Sequence, residues 1–100
     1  MPTKITFIID NPADPAAFEA AWTDIRSAAE GFPGLERLES AKVWPKEDGS
    51  PTPAYRTLDL YFDSYEAASA AVTGPAAGVL FGALLESGVP FKGLFSDIEK

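Results

Sequence analysis

The carboxylate of Asp59 is the group in this chain best placed to do chemistry. It lies in the run Thr57–Phe62, where polar and apolar residues alternate as they do in a strand with two different faces. Asp59 is on the polar face, and an apolar surrounding there would let it exchange a proton near neutral pH. The alternative is a structural carboxylate at a subunit interface, paired with Arg37, Arg56 or a lysine.

A small set of other residues could line a pocket together with this carboxylate. Glu39 has the same two interpretations as Asp59. Tyr61 and Tyr55 could donate hydrogen bonds to a ligand, or they could serve only in cross-strand packing. Trp22 could form a pocket wall or simply belong to the core, and Arg37 and Arg56 could bind an anionic group or form surface salt bridges. The predicted ligand-binding residues are Trp22, Glu39, Thr57, Asp59 and Tyr61, with Asp59 the best catalytic candidate.

Two residue types that commonly carry chemistry are missing from the sequence. The chain has no cysteine, which excludes disulfides, thiol nucleophiles and thiolate metal ligands. It also has no histidine, which removes the commonest general base and haem ligand. The acidic residues do not have the spacing of a known oxygen-ligand loop. We therefore predict no metal and no cofactor, with any chemistry left to carboxylates, tyrosines, lysines, arginines or the substrate.

The composition is that of one small globular domain. The length of 100 residues favours a single domain, 1–100, and 46% hydrophobic residues is an ordinary fraction. The net charge of −7 argues against nucleic acid as a partner, and no basic cluster favours a membrane surface. No apolar run is long enough to span a bilayer, and the N-terminus lacks a signal-peptide pattern. These features predict a cytoplasmic protein.

Periodicity predicts four strands and two helices. The first helix begins at Pro15 after Asp14 as N-cap and ends at Gly31. The second begins near Asp63, which is spaced from Glu66 as in a capping box, and is interrupted at Gly74-Pro75. The predicted strands are Thr3–Asp10, Leu35–Trp44, Ala54–Phe62 and Phe91–Ile98, and the loop from Pro45 to Pro53 is rich in turn-forming residues.

The order of these elements predicts an α+β, ferredoxin-like βαββαβ fold. Such a chain forms a four-stranded antiparallel sheet with both helices on one face. The first and last strands carry large apolar residues on both of their faces. Because contiguous apolar patches are rarely left exposed on monomers, we predict a homodimer formed through the uncovered sheet face.

Several short motifs resemble the EthD family of dimeric α/β-barrel proteins. They are Pro33-Gly34-Leu35 after the first helix, Glu39 to Val43, Leu60-Tyr-Phe-Asp-Ser64 followed by Glu66-Ala67, and Leu94-Phe95. The resemblance implies a dimer whose two sheets form a barrel, with a small pocket in each protomer between the sheet and the helices. Relatives with this fold include cofactor-independent monooxygenases, lactone isomerases, polyketide cyclases and haem-dependent peroxidases.

One departure from the family pattern bears on function. EthD-like proteins usually carry a histidine in the second half of the first helix, where this chain has Ile25 or Arg26. The family's most plausible acid–base group is therefore missing, and histidine-ligated haem is excluded. Two hypotheses follow: a dimer that binds a small apolar or aromatic molecule without a cofactor, as a binder or as an enzyme such as a monooxygenase, isomerase or cyclase, or a non-catalytic structural or regulatory dimer whose pocket has collapsed.

Overall fold

The structure, a computed structural model, describes residues 2–99 and confirms the predicted order of elements, with the second helix divided into two. The strands are shorter than predicted by up to four residues. The elements in chain order are β1 Thr3–Ile9, α1 Pro15–Glu30, β2 Arg37–Lys42, β3 Arg56–Phe62, α2 Tyr65–Val72, α3 Pro75–Glu86 and β4 Phe91–Asp97.

The four strands form one antiparallel sheet in the order β2-β3-β1-β4. Its register places Ile5 between Leu60 and Phe95, on the face that the helices cover. Large apolar side chains from that face and from the helices make one core, which removes them from water and supplies the main driving force for folding. Its largest fully buried members are Phe7, Phe62, Ile5, Ile9, Ile25, Leu58, Leu60, Leu80 and Leu84.

The helix ends follow the local sequence, with one correction. Asp14 caps α1, as predicted, because its carboxylate accepts a hydrogen bond from the Ala17 N–H at 3.2 Å. The second helical segment is capped by Ser64, whose hydroxyl accepts from the Ala67 N–H at 3.1 Å. The prediction of Asp63 as the cap was therefore wrong by one residue, since aspartate and serine are both good caps and lie side by side.

The break between α2 and α3 was correctly placed at Gly74-Pro75. Pro75 is the first residue of α3, where its missing N–H costs nothing, and Gly74 precedes it as the N-cap. The two helices meet at a bend of 66°. Within residues 2–99 no single helix is long and apolar enough to cross a membrane. Taken together, the two helices of this bent pair have the length and apolar composition of a membrane span.

The outer face of the sheet, the one without helices, is more polar than the sequence suggested. Phe91 and Phe95 lie on the helical side, where Phe91 packs on the core and Phe95 contacts Tyr65. This leaves Ile8 and Leu94 as the large aliphatic side chains of the outer face. The other outer-face positions are Lys4, Thr6, Arg37, Glu39, Ala41, Thr57, Asp59, Tyr61, Lys92 and Ser96.

Candidate functional site

Four of the five predicted ligand-binding residues lie together on the outer face. Glu39 and Asp59 are register partners on β2 and β3, and Thr57 and Tyr61 flank Asp59 on the same face. The fifth, Trp22, lies on α1 at the opposite side of the sheet, only 7% exposed within the core. The sheet itself therefore separates Trp22 from the other four.

Asp59 is half-buried and already has partners within the chain. The Thr6 hydroxyl donates a hydrogen bond to Asp59 Oδ1 at 2.5 Å, and Lys4 Nζ lies 3.7 Å from the same oxygen. The Asp59 side chain is 17% exposed. Both partners come from the neighbouring strand β1. Of the ionic partners that the sequence offered, Arg37, Arg56 or a lysine, the structure pairs Asp59 with a lysine.

Glu39 belongs to a second small network on the same face. The Tyr61 hydroxyl donates to Glu39 Oε1 at 2.6 Å, and Arg37 Nη2 lies 3.5 Å from Glu39 Oε2. The Arg37 guanidinium also stacks on the Tyr61 ring, 4.2 Å from its centroid. Both carboxylates of the outer face thus support local cross-strand pairing, and their predicted roles in ligand binding or catalysis stay predictions.

A charged cluster between α1 and β3 was not found from the sequence. Arg56 binds Glu19 with two hydrogen bonds, Nη2 to Oε1 at 2.6 Å and Nε to Oε2 at 3.0 Å. The Tyr55 hydroxyl donates to the same carboxylate at 2.9 Å, and the guanidinium lies 4.9 Å from the centre of the Trp22 ring. The sequence did contain a sign of this cluster. Arg56 lies two residues before Leu58 on the same strand, so both side chains point to the core-facing side, and a charged group there needs a buried counter-ion.

This cluster sets the titration of its carboxylate. The hydrogen bonds from Arg56 outweigh the effect of burial and, with the one from the Tyr55 hydroxyl, lower the pKa of Glu19 to about 2. Burial, reinforced by the hydrogen bond and charge of Glu19, raises the pKa of the Tyr55 hydroxyl. Glu19 therefore stays ionised and Tyr55 neutral across the physiological range. The cluster is a fixed ion pair, in which no group is poised to exchange a proton near pH 7.

Two cavities open at the end of the sheet where β1 ends and β4 begins. The first, the α1–α3 cavity, has a volume of about 370 Å³ and lies between the start of α1 and the end of α3. The second, the edge cavity, has a volume of about 240 Å³ and lies beside the start of β4. Neither of these two cavities is lined by Asp59 or Glu39.

The α1–α3 cavity is connected to the charged cluster through one aromatic side chain. Phe18 lines the cavity, and its ring packs against Trp22 at 5.8 Å and against Tyr55 at 5.6 Å, centroid to centroid. Most of the remaining lining is apolar and includes Pro12, Ala17, Ala21 and Val89. The Phe18 ring therefore separates Trp22 from this cavity, and the predicted role of Trp22 as a pocket wall stays a prediction.

Two further observations concern the polar side chains of the described residues. Within residues 2–99, no three acidic side chains are grouped so as to hold a metal ion. In the same part of the chain, every buried side-chain nitrogen or oxygen has a hydrogen-bond partner.

Comparison with known proteins yields one curated relative and many structures of the same fold. No known family profile matches the sequence. An uncharacterised 11.0 kDa protein of the thcB–thcC intergenic region of Rhodococcus erythropolis is 32% identical over 73 residues, which are 72% of this chain and 70% of that protein.

The solved structures agree on the fold. An EthD family protein of Bacillus halodurans has a TM-score of 0.88 at 15% identity, covering 98% of this chain and 99% of that one. A dimeric ferredoxin-like protein of unknown function from Thermobifida fusca has a TM-score of 0.73 at 11% identity, with 98% and 92% covered. SnoaB, a cofactor-independent oxygenase from Streptomyces nogalater, has a TM-score of 0.70 at 11% identity, with 99% and 94% covered. The chain belongs to one family with the Rhodococcus protein and has the ferredoxin-like fold of the EthD-like proteins, as the sequence resemblance implied.

Proposed function

We propose that this protein is a homodimer in which each protomer binds a small apolar or aromatic molecule in its α1–α3 cavity. The observation that carries the binding proposal is the cavity of about 370 Å³ with a mostly apolar lining. Small-molecule sites in proteins typically occupy about 300–1,000 Å³ and are lined chiefly by hydrophobic side chains. The Phe18 ring would lie against the bound molecule, and Asp14 and Glu86 at the rim would remain in water.

The proposed dimer is supported by the charge of the outer face. This face carries three cations, Lys4, Arg37 and Lys92, against two carboxylates, Glu39 and Asp59, so its net charge is +1. The whole chain has 8 basic and 15 acidic residues and a net charge of −7. Two copies would repel each other least through this face, because like charges across an interface are costly. The Thermobifida structure with the same fold is described as dimeric.

A pair of matched variants tests the dimer. Leu94→Arg places a charge on the outer face, at the middle of the edge strand β4, whereas Leu85→Arg places the same charge on α3, at a leucine that is also exposed. Sedimentation equilibrium should give a dimer for the wild type and for Leu85→Arg, and a monomer for Leu94→Arg. A monomeric wild type at tens of micromolar, or a Leu94→Arg variant as dimeric as the wild type, would show that the outer face is not the interface.

Ligand binding is tested by comparing the protein with its α1–α3 cavity open and a variant in which a larger side chain fills that cavity. Naphthalene, 2-naphthol and indole are suitable probes, and a ligand at about ten times its Kd stabilises a protein by about 1.4 kcal/mol, equivalent to several degrees of Tm. Ala17→Phe fills the cavity from α1, and Ala20→Phe puts the same ring on an exposed position of that helix outside the cavity. We expect at least one probe to raise the Tm of the wild type and of Ala20→Phe, but not of Ala17→Phe. No effect of any probe on the wild type, or equal effects on both variants, would contradict the proposal.

A structural or regulatory dimer without a ligand is the second candidate. The specific observation in its favour is that Asp59 and Glu39 are both paired with groups of their own chain. Asp59→Asn addresses the predicted role of Asp59 directly. A structural carboxylate predicts a change in stability or dimer affinity alone, whereas a role in the site predicts weaker binding of whichever probe the wild type retains.

A further inference from the structure

Trp44 is exposed to an unusual degree for a side chain of its size. It is 86% exposed, the largest exposed fraction among the big apolar residues of this structure. It follows the edge strand β2, which ends at Lys42, and it precedes Pro45 and the turn-rich loop. An indole ring left in water at a sheet edge is costly unless a partner covers it, and tryptophan is among the residues most enriched at interface centres.

The edge cavity lies at the same end of the sheet and extends from Pro53 and Ala54, before the start of β3, to Phe91 and Lys92 on the opposite edge strand β4. The register pairs Lys42 with Arg56, Arg56 with Ile9, and Ile9 with Phe91, so the end of β2 and the start of β4 are level with each other. With strands about 4.8 Å apart, the two edges of a four-stranded sheet are separated by about 14 Å. Within its own protomer Trp44 is 86% exposed and does not line the edge cavity.

A twofold pairing of outer faces brings these two features together between protomers. When two sheets close into a barrel around an axis parallel to the strands, β2 of each protomer comes beside β4 of its partner, and both sheets keep the same end up. Resting on the dimer proposed above, we infer that Trp44 of each protomer inserts into the edge cavity of its partner. The contact occurs twice, once at each seam of the barrel.

The chemistry of the edge cavity suits an indole. A dry cavity of roughly 150 Å³ holds a benzene molecule, so about 240 Å³ accommodates the larger ring system. Ile8, Pro90 and Phe91 offer apolar contact, and the ammonium of Lys92 can lie over the ring face, where cations are attracted. The Asp10 carboxylate accepts a hydrogen bond from the Asn11 N–H at Oδ1, and its Oδ2, which has no hydrogen-bond partner among residues 2–99, can accept the indole N–H.

The test uses Trp44 both as the perturbed residue and as the reporter. Since Trp22 and Trp44 are the two tryptophans, a Trp22→Phe background leaves Trp44 as the single fluorophore. In that background, its emission should shift to shorter wavelength and resist acrylamide quenching at dimer concentrations, and both effects should reverse on dilution. In the wild-type background, Trp44→Ala should weaken the dimer about 30-fold by sedimentation equilibrium, a loss of the size that tryptophan hot spots show at protein interfaces. Leu85→Ala, at another exposed apolar position, on α3, should leave the dimer unchanged.

A double-mutant cycle locates the partner of the indole. Lys92→Ala should weaken the dimer in the wild type and add little to Trp44→Ala, because the two side chains act through one contact. A wild type that is monomeric throughout would overturn the proposed dimer itself. A wild type that is dimeric, with Trp44 equally quenched in monomer and dimer and with Trp44→Ala as tight as the wild type, would overturn the insertion alone. Because Trp44 contributes almost nothing to the monomer core, circular dichroism of Trp44→Ala should match the wild type.

Discussion

Replacing Glu19 by glutamine should destabilise the protein in a way that depends on pH. The change keeps the shape of the side chain but removes the charge that Arg56 faces, and the Arg56 side chain is only 14% exposed. Leaving a buried guanidinium without its counter-ion is costly. Because Tyr55 and Trp22 also contact this ion pair, the substitution should weaken the packing of α1 against the sheet.

The magnitude follows from the titration of Glu19. Folding lowers its pKa from 4.5 to about 2. Each pKa unit of difference is worth about 1.4 kcal/mol, which gives an upper value of roughly 3.5 kcal/mol. The Glu19 side chain is 36% exposed, so solvent screening reduces the effect, and we expect a loss of about 1–2 kcal/mol at pH 7.

The sign of the pH dependence is fixed because the folded-state pKa is depressed. The stabilisation is fully present above the unfolded pKa, near 4.5, and is lost as the pH falls toward 2. The difference between wild type and Glu19→Gln should therefore shrink by about half between pH 7 and pH 3. Urea unfolding at a fixed protein concentration, followed by circular dichroism at several pH values, measures it.

The control is the ion pair of Glu30 with Arg26 on the same helix. Their side chains are more than half exposed, at 57% and 53%, and 3.4 Å separates Nε from Oε1. Glu30→Gln should cost less than about 0.5 kcal/mol at any pH. Equal stability of Glu19→Gln and wild type at pH 7, or a deficit that stays constant down to pH 3, would refute the assignment of this stabilisation to the ionised Glu19.

Three further outcomes test the fold and the proposed assembly. Leu58→Ala, at a fully buried position in β3, should lower the free energy of unfolding in urea by about 2–5 kcal/mol, and a loss below 1 kcal/mol would contradict its place in the core. Ser64→Ala should cost about 1 kcal/mol by the same assay, whereas Asp63→Ala should cost less, since the cap is Ser64. Dimer affinity should rise when salt increases from 10 to 150 mM, because screening weakens the repulsion between two chains of charge −7, and a fall would show that attraction across the interface dominates.

The fold could be predicted because the spacing of apolar residues and the positions of helix-capping and turn-forming residues indicate the same elements along most of the chain. Alternation from Thr57 to Phe62 correctly placed Asp59 on the face away from the core, and Asp14-Pro15 correctly placed the start of α1. The ends of the strands were less predictable, because the alternation of polar and apolar residues continues beyond the last residue that is paired in the sheet. At the hairpin, the Val43 N–H still donates to the Tyr55 carbonyl at 3.0 Å, but the prolines beyond it have no N–H to donate.

The candidate site was less predictable because it depends on which element covers which face. The sequence suggested that Arg56 forms a surface salt bridge. In the structure its side chain lies on the core-facing side of β3, toward α1, where it hydrogen-bonds to Glu19 and lies over the Trp22 ring. The α1–α3 cavity joins residues near position 17 to residues near position 88, and no local pattern connects them. Distant segments that meet only after folding leave no periodic signal in the sequence.

The polar outer face changes the physical basis of the proposed dimer. A sheet face with many large apolar residues would associate by burying area, but this one offers chiefly Ile8 and Leu94 for that purpose. Its paired groups, such as Asp59 with Thr6 and Lys4, fix register and orientation and contribute little net affinity, since desolvation offsets their attraction. The affinity must then come from a few apolar anchors at the edges of the face. Trp44 is the largest exposed apolar side chain at either edge, and for this reason the stability of the dimer should depend more on this one residue than on all the charges of the face.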